Sequence, residues 1–236
     1  MQSLKKQFFV TGTDTGVGKT FVSVGLLAKA HSLGYSTAAI KPVAAGCELT
    51  AQGLRNDDAL QLLEQCSKPL LYEQVNPMAL PAPVAPHIAA AEVGLKLDVG
   101  RLAGYCRGVL LQSADLTLVE GAGGWRVPLN SRETLAHLPV LLELPIILVV
   151  GMRLGCINHA LLTAEAIAQD GLKLAGWVAN SMAGDMLAHH DNITTLVSLL
   201  QAPLLGQIPL LKQQSSAQAR IHQCAAHLDL SCLGIN

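Results

Sequence analysis

The sequence predicts a doubly wound α/β fold, in which helices cover both faces of a mainly parallel sheet. Three observations predict it: apolar runs alternate with helical patterns, several of these runs are continuous, and a glycine-containing segment joins the first run to the first helix. Continuous Val/Ile/Leu runs indicate strands that are buried on both faces. With 236 residues, the chain is expected to form a single domain over residues 1–236.

The elements follow one another in strand–helix order. The apolar runs predict strands at residues 7–10, 36–41, 116–120, 146–150, 175–179 and 204–208. The helical patterns lie at residues 19–33, 57–65, 85–93, 99–113, 157–169 and 187–200. In such a sheet, ligands bind at the carboxyl ends of the strands. Lys41, Glu120, Gly151 and Asn180 stand at or just past predicted strand ends, so we expect them to converge on one edge.

The glycine-containing segment begins at Gly12 and ends in Gly18-Lys19-Thr20. A strand, a glycine turn and a helix in this order form the layout of a P-loop, which predicts a fold of the P-loop NTPase type. Glycines let backbone N–H groups converge on phosphate oxygens, and the helix start adds its positive dipole end. Lys19 would add a charge for the phosphates, and the Thr20 hydroxyl can ligate Mg²⁺. Gly12 stands one residue early for the strict spacing, so the loop is a variant.

Several other side chains are candidates for chemistry. Glu120 ends an apolar strand, where P-loop NTPases place the acid that holds Mg²⁺. Lys41 lies at the end of a predicted strand, where it either stabilises an anion or is simply a solvated residue at the strand tip. Asp57 and Asp58 open a helix, where spacing alone does not separate capping from metal binding. The amide of Asn180 suits either an adenine edge or a turn of its own chain.

Composition argues against several classes of protein. The net charge of −1 and an aromatic content of 3% do not predict nucleic-acid binding. The longest apolar runs, such as residues 144–150, are far too short to cross a membrane, and no secretion signal is recognisable at the start. The six cysteines show neither C-x-x-C nor zinc spacing, so we expect reduced thiols. These features predict a cytoplasmic enzyme.

Taken together, the motifs resemble the dethiobiotin synthetase family, the ATP-dependent carboxylases of biotin biosynthesis. The matching segments are residues 12–20, 41–43, 53–56 with Asp58, 86–87, 119–124, 154–159 and 176–180, in the family's order. The resemblance implies that 7,8-diaminononanoate, CO₂ and ATP are converted to dethiobiotin through an N-carbamate and a carbamic-phosphoric mixed anhydride. It also implies Mg²⁺ as cofactor, ATP as co-substrate and a homodimer with a shared active site. Nucleic acid and membrane partners are not expected.

The resemblance assigns roles to individual residues. The implied catalytic residues are Lys41, Lys19 and Thr15, and the implied Mg²⁺ ligands are Thr20, Asp58 and Glu120. The implied nucleotide-binding residues are Gly16, Val17, Gly18, Lys19, Thr20, Phe21, Asp58, Glu120, Gly121, Ala122, Gly123, Asn180, Pro209, Leu210, Leu211 and Gln213. The implied substrate-binding residues are Thr15, Lys41 and Ala45, with Leu154, Gly155, Cys156, Ile157 and Asn158 contributed by the neighbouring subunit.

Some positions depart from the pattern that many family members share. Ala45 stands where Ser is common, Ser181 where Asp is common, and Gly16 and Gln213 where Glu is common. The differences at Ala45 and Ser181 are compatible with an altered substrate or with weak activity. Three alternatives remain: a related P-loop ligase or amidotransferase domain for another amine or carboxylate, a partition or nitrogenase-type switch ATPase, and a non-catalytic nucleotide-binding paralogue. Asp14 stands where the switch ATPases carry a signature lysine, which argues against that class.

Overall fold

The computed structural model describes residues 5–112, 114–182, 186–211 and 216–236. Its strands are β1 (Lys6–Gly12), β2 (Thr37–Ile40), β3 (Val43–Ala45), β4 (Glu48–Thr50), β5 (Gly53–Arg55), β6 (Met78–Leu80), β7 (Leu116–Glu120), β8 (Ile146–Met152), β9 (Leu174–Ser181) and β10 (Leu204–Ile208). Its helices are α1 (Lys19–Ser32), α2 (Asp57–Glu64), α3 (Tyr72–Val75), α4 (Pro86–Glu92), α5 (Val99–Leu110), α6 (His137–Leu142), α7 (Cys156–Gln169), α8 (His189–Leu199) and α9 (Ala217–Ala226).

The main sheet has six strands in the order β10-β9-β8-β1-β7-β2. Every neighbouring pair in it is parallel. The chain begins near the middle of the sheet and adds strands on both sides of β1, which is the doubly wound arrangement. All six predicted strands are present in this sheet, so the predicted fold class is confirmed.

Side chains of successive strand residues enter cores on opposite faces of the sheet. Phe8 and Val10 pack in one core with Leu26 of α1. Phe9, between them, packs in the other core with Leu102 of α5. This is the period-two alternation of a strand, here with apolar residues at both phases because helices cover both faces.

The register of the strands places the candidate residues at one edge. Glu120, the last residue of β7, lies opposite Val10 of β1. Lys41 follows directly after β2, the other neighbour of β7. Gly151 lies opposite Asn180 on the β8–β9 side. The expected convergence of strand ends is therefore present, and the loop between β1 and α1 emerges from the same edge.

The smaller elements were not predicted from the sequence. β3 and β6 form a parallel pair, and β4 and β5 form an antiparallel hairpin. Strands of three residues are too short to show a hydrophobic period. Helix α6 has six residues and contains Pro139, which argues against a helix at the level of sequence. The helix predicted at 99–113 ends at Leu110, and position 113 lies outside the described residues.

Two general features concern membranes and cysteines. None of the helices that the structure describes is both long and apolar enough to cross a membrane. All six cysteines are free thiols, and Cys232 is the exposed one among them.

Candidate active site

The loop between β1 and α1 owes its shape to its glycines. Gly16 and Gly18 have φ angles of 73° and 81°, in the left-handed region that other residues rarely adopt. A Cβ atom on Gly18 would lie 2.3 Å from the amide nitrogen Nδ2 of Asn180, so this approach to β9 requires glycine. Helix α1 begins at Lys19, and the N–H groups of a first helical turn have no partner within the helix. The loop therefore has the features of a phosphate cradle.

Lys19 is buried inside this loop. Its Nζ atom donates a hydrogen bond to the backbone carbonyl of Asp14 at 3.0 Å. Burial lowers the pKa of Lys19 to about 8, against the opposing effect of the Glu120 carboxylate. At neutral pH most of the ammonium remains protonated, so the loop holds a positive charge where phosphate oxygens would bind.

Three of the predicted residues cluster with Glu120, whose carboxylate is completely buried. Its Oε1 atom accepts a hydrogen bond from the Thr20 hydroxyl at 2.7 Å. The same oxygen lies 2.7 Å from the Nζ atom of Lys41. Lys41 also contacts Oδ2 of Asp58 at 2.9 Å. The site thus joins the ends of two strands, the first turn of α1 and the first turn of α2.

The ion pairs decide the protonation of this cluster. Burial lowers the pKa of Lys41, but the carboxylates of Glu120 and Asp58 more than offset it, so the pKa lies above its usual value. Burial raises the pKa of Asp58, yet the Lys41 ammonium outweighs it and the pKa is lowered. Lys41 and Asp58 therefore both stay ionised at neutral pH.

The donor atoms around Glu120 fit Mg²⁺. Its second oxygen, Oε2, is buried without a hydrogen-bond partner and is therefore available to a cation. Glu120, Asp58 and Thr20 offer carboxylate and hydroxyl oxygens, the hard ligands that Mg²⁺ prefers. The described residues contain no group of three or more His, Cys, Asp or Glu side chains suited to a metal. A magnesium ion here would thus share its ligands with phosphate oxygens and water, as is usual.

The turn after β7 lies against the phosphate loop. The N–H group of Gly121 donates to the carbonyl of Val10 at 2.9 Å, and Ala122 is partly buried beside it. A Cβ atom on Gly123 would lie 3.4 Å from the Thr15 hydroxyl. Thr15 itself is exposed, so its hydroxyl stands at the opening between the two glycine turns.

The residues predicted to hold the nucleoside lie at the β9–β10 side of the same edge. Asn180 is buried, and its Nδ2 atom donates to the carbonyl of Val17 at 2.9 Å, which fixes the phosphate loop to β9. Pro209, Leu210 and Leu211 follow β10. Phe21 packs against the core beneath α1, and Gln213 lies outside the described residues.

The residues predicted to bind the organic substrate fall into two separate groups. Ala45 ends β3, close along the chain to Lys41. The second group is the start of α7, with Leu154, Gly155, Cys156, Ile157 and Asn158. Within the described residues, no hydrogen bond or ion pair connects residues 154–158 to Lys41 or Ala45.

A buried network that the motifs did not indicate supports Lys41 from behind. Asn76 donates from Nδ2 to the carbonyl of Lys41 at 2.8 Å. The Tyr72 hydroxyl donates to Oδ1 of Asn76 at 3.0 Å and accepts from the N–H of Asn56 at 2.8 Å. The only trace in the sequence is the spacing of four between Tyr72 and Asn76, which is common to many helices.

The chain is similar to curated proteins over almost its whole length. The family model described as AAA domain matches residues 6–218. The ATP-dependent dethiobiotin synthetase BioD of Cellvibrio japonicus is 59% identical over 229 residues, which are 97% of this chain and 98% of that protein. The protein of the same name from Pseudomonas aeruginosa is 59% identical over 97% of this chain and 98% of its own length. That of Marinobacter nauticus is 51% identical over 91% of this chain and 92% of its own length.

Solved structures with little sequence similarity share the fold. A ParA family ATPase from Chlorobium tepidum matches with a TM-score of 0.53 at 14% identity, covering 98% of this chain and 93% of that one. The MinD cell division protein of Aquifex aeolicus matches with a TM-score of 0.53 at 17% identity, covering 94% of this chain and 95% of that one. At such low identity the likeness concerns the fold alone, and it agrees with a doubly wound P-loop architecture.

Proposed function

The chain belongs to the family of ATP-dependent dethiobiotin synthetases, and from this premise we propose that it converts 7,8-diaminononanoate, CO₂ and ATP to dethiobiotin, ADP and phosphate. It is an ATP-dependent ligase of biotin synthesis. The observation that carries the specific reaction is the cluster of Lys41, Glu120 and Asp58 directly beside a phosphate-binding loop.

The chemistry requires positive charge rather than a covalent nucleophile. One amine attacks CO₂, forms a C–N bond and loses a proton, which yields a carbamate. A carbamate oxygen attacks the γ-phosphoryl group of ATP and ADP leaves, which yields a carbamic-phosphoric mixed anhydride. The second amine then attacks the carbamoyl carbon and expels phosphate, which closes the cyclic urea. Negative charge builds up on oxygen atoms in each step, so preorganised cations and N–H donors lower the barrier.

The residues of the site supply this charge. Lys19 and the loop N–H groups bind phosphate oxygens, and Lys41 stabilises the carbamate and phosphoryl oxygens. The Thr15 hydroxyl, at the opening of the site, hydrogen-bonds to the reacting groups. Mg²⁺, when held by oxygen atoms of Thr20, Asp58 and Glu120, neutralises phosphate charge. Asn180 and the residues after β10 contact the nucleoside.

A second copy of the chain completes the substrate site. The buried residues of helix α7 are Cys156, Ala160 and Ile167, whereas large apolar side chains on the helix and just before it are exposed. Leu154 and Leu162 are 94% and 57% exposed, respectively. Large exposed apolar side chains occur at protein interfaces, and most soluble homo-oligomers are two-fold symmetric dimers. The start of α7 then receives the substrate carboxylate at the neighbouring subunit's site, since free helical N–H groups bind anions.

A product assay tests the reaction. We expect the purified chain with ATP, Mg²⁺, bicarbonate and 7,8-diaminononanoate to form dethiobiotin, detected by mass spectrometry, together with an equal amount of ADP. Lys19→Ala should lose almost all activity, because charge-assisted hydrogen bonds contribute roughly 1.5–3 kcal/mol each. Lys29→Ala, in the last turn of the same helix, is the matched control and should keep it. ATP hydrolysis driven only by another amine, or ATP binding without turnover, would overturn the proposed reaction.

A further inference from the structure

Asp14 contacts two residues of the phosphate loop to which we assign roles in the reaction, Thr15 and Lys19. Its Oδ1 atom accepts a hydrogen bond from the N–H of Thr15 at 2.7 Å. Its carbonyl oxygen accepts the hydrogen bond from Nζ of Lys19 at 3.0 Å. Any movement of Asp14 would therefore move Thr15 and would remove the acceptor that orients the Lys19 ammonium.

The second carboxylate oxygen of Asp14 is held from outside the loop. Oδ2 forms an ion pair with the guanidinium of Arg153, which lies between β8 and α7. The carbonyl of Arg153 also accepts the N–H of Cys156 at 2.9 Å, so its backbone belongs to the turn that begins α7. Arg153 thus connects the phosphate loop to the segment proposed to receive the substrate carboxylate.

Stability alone does not account for this ion pair. The side chains of Arg153 and Asp14 are 53% and 48% exposed, respectively. Exposed ion pairs contribute roughly 0–1 kcal/mol to folding, and salt weakens them. Position matters far more at a reacting centre, where a displacement of about 1 Å can cost on the order of a hundredfold in rate. A carboxylate held at both oxygens cannot rotate away from Thr15, whereas one held at a single oxygen can.

We propose that Arg153 is a positioning residue for the ligase reaction, which acts through Asp14 to hold Thr15 and Lys19 in their working positions. This inference rests on the proposed function, because it concerns the same site. It gives Arg153 no contact with substrate, and therefore differs from a role as a direct receptor of the substrate carboxylate.

A double-mutant cycle separates these two roles. Arg153→Gln removes the guanidinium, and Asp14→Asn removes the carboxylate charge while keeping an acceptor for the Thr15 N–H. We expect Arg153→Gln to lower kcat about tenfold with little change in the KM for the diamine. In a chain that already carries Asp14→Asn, Arg153→Gln should lower kcat no further. Arg153→Lys should recover most of the rate, because an ammonium can also pair with Asp14.

The controls address folding and charge. The melting temperatures of all variants should stay within about 4 °C of the unchanged protein, as expected for exposed ion pairs. Arg101→Gln removes an exposed arginine that contacts Tyr105 on α5, away from the loop, and should leave kcat unchanged. The difference in kcat between the unchanged protein and Arg153→Gln should also shrink at high salt, since salt screens the ion pair in the unchanged protein.

Three results would overturn the inference. The first is a kcat for Arg153→Gln within about twofold of the unchanged protein. The second is a multiplicative loss when the two substitutions are combined. The third is a loss confined to the KM for the diamine, which would make Arg153 a substrate receptor. The same double-mutant cycle is repeated with the dissociation constant of a non-hydrolysable ATP analogue as the readout. The inference can then be judged even if no dethiobiotin forms.

Discussion

Asn76 and Lys41 are joined by a buried hydrogen bond of 2.8 Å, from the side-chain amide of the first to the backbone carbonyl of the second. The Tyr72 hydroxyl continues the network to the N–H of Asn56, the N-cap of α2. The network therefore fixes the backbone next to Lys41 relative to the backbone next to Asp58. These are the two side chains that form an ion pair of 2.9 Å in the site.

Tyr72→Phe tests this support. The ring and its stacking with Arg55 remain, but Oδ1 of Asn76 and the N–H of Asn56 lose their partner. An unpaired buried polar group costs roughly 1–3 kcal/mol, which for a chain of this size corresponds to a fall in Tm of roughly 2–12 °C. We expect kcat to fall several-fold more than the affinity for ATP, since Lys41 acts in the transition state.

Tyr105→Phe is the matched control for that experiment. The Tyr105 hydroxyl is exposed and accepts a hydrogen bond from Nε of Arg101. Its removal should change neither Tm nor kcat. A Tyr72→Phe variant with unchanged kcat would show that the network serves folding alone.

Glu120→Gln tests the magnesium site. The substitution keeps the shape of the side chain and removes its charge, so the Mg²⁺ concentration for half-maximal activity should rise at least about tenfold. The variant should also melt at a lower temperature, because only one of the two charged partners of Lys41 remains, and hydrogen bonds to charged groups contribute roughly 1.5–3 kcal/mol.

Asp58→Asn keeps this test decisive if Glu120→Gln folds poorly. The Asp58 side chain is partly exposed, so its loss should be tolerated, and the Mg²⁺ requirement should again rise. Glu73→Gln, which breaks an exposed pair with Arg55, should leave the requirement unchanged. A lower Tm with an unchanged Mg²⁺ requirement in both site variants would make Glu120 and Asp58 only counter-ions of Lys41.

The sequence predicts those parts of the fold and site that a short stretch of residues reveals by its own composition or pattern. The Val/Ile/Leu run of β8 and the glycines of the phosphate loop are visible within a few residues of chain. Because β7 and β1 pair in parallel, the position of Glu120 at a strand end also predicts its place beside the loop.

The supporting contacts carry no such signal. Asn76 and Lys41 are 35 positions apart, and Arg153 and Asp14 are 139 apart. Each pair meets only after the sheet and its crossover connections have formed, so no periodicity or motif in the sequence indicates it. The three-residue strands β3 and β6 likewise depend on each other and not on a pattern of their own.

The thiols should differ strongly in reactivity. Burial raises the pKa of Cys66 to about 11 and the pKa values of Cys106 and Cys224 to about 12. The thiolate is the reactive form, and a raised pKa keeps it scarce: at pH 8 a thiol of pKa 11 is ionised in about one molecule in a thousand. These thiols should therefore react only as the pH approaches these values or when the protein unfolds.

Labelling of the folded protein at pH 8 with a thiol reagent, followed by intact mass, checks this. One thiol should react rapidly, at the exposed Cys232, and all six should react in denaturant. Cys232→Ser should abolish the rapid phase. Rapid labelling of a second thiol in the folded protein would contradict the burial of the others.

The shared active site predicts a specific kinetic defect for Asn158→Asp. Asn158 is exposed in the first turn of α7, and a carboxylate there would repel the substrate carboxylate. The KM for the diamine should rise while the KM for ATP stays nearly constant. Gln169→Glu adds the same charge at the last residue of α7 and should leave both constants unchanged.

Mixing these two kinds of defective variant, assayed at a diamine concentration far below the raised KM, then tests whether the site is shared. Asn158→Asp damages the substrate receptor and Lys19→Ala damages the phosphate loop. In a mixed dimer, the intact loop of one subunit meets the intact α7 start of the other, so one of its two sites is complete. With random exchange of equal amounts, about half of the dimers are mixed, and about a quarter of the original activity should return. If each site were built from one chain, every site would carry a defect, and no activity would return although native mass spectrometry shows exchanged subunits.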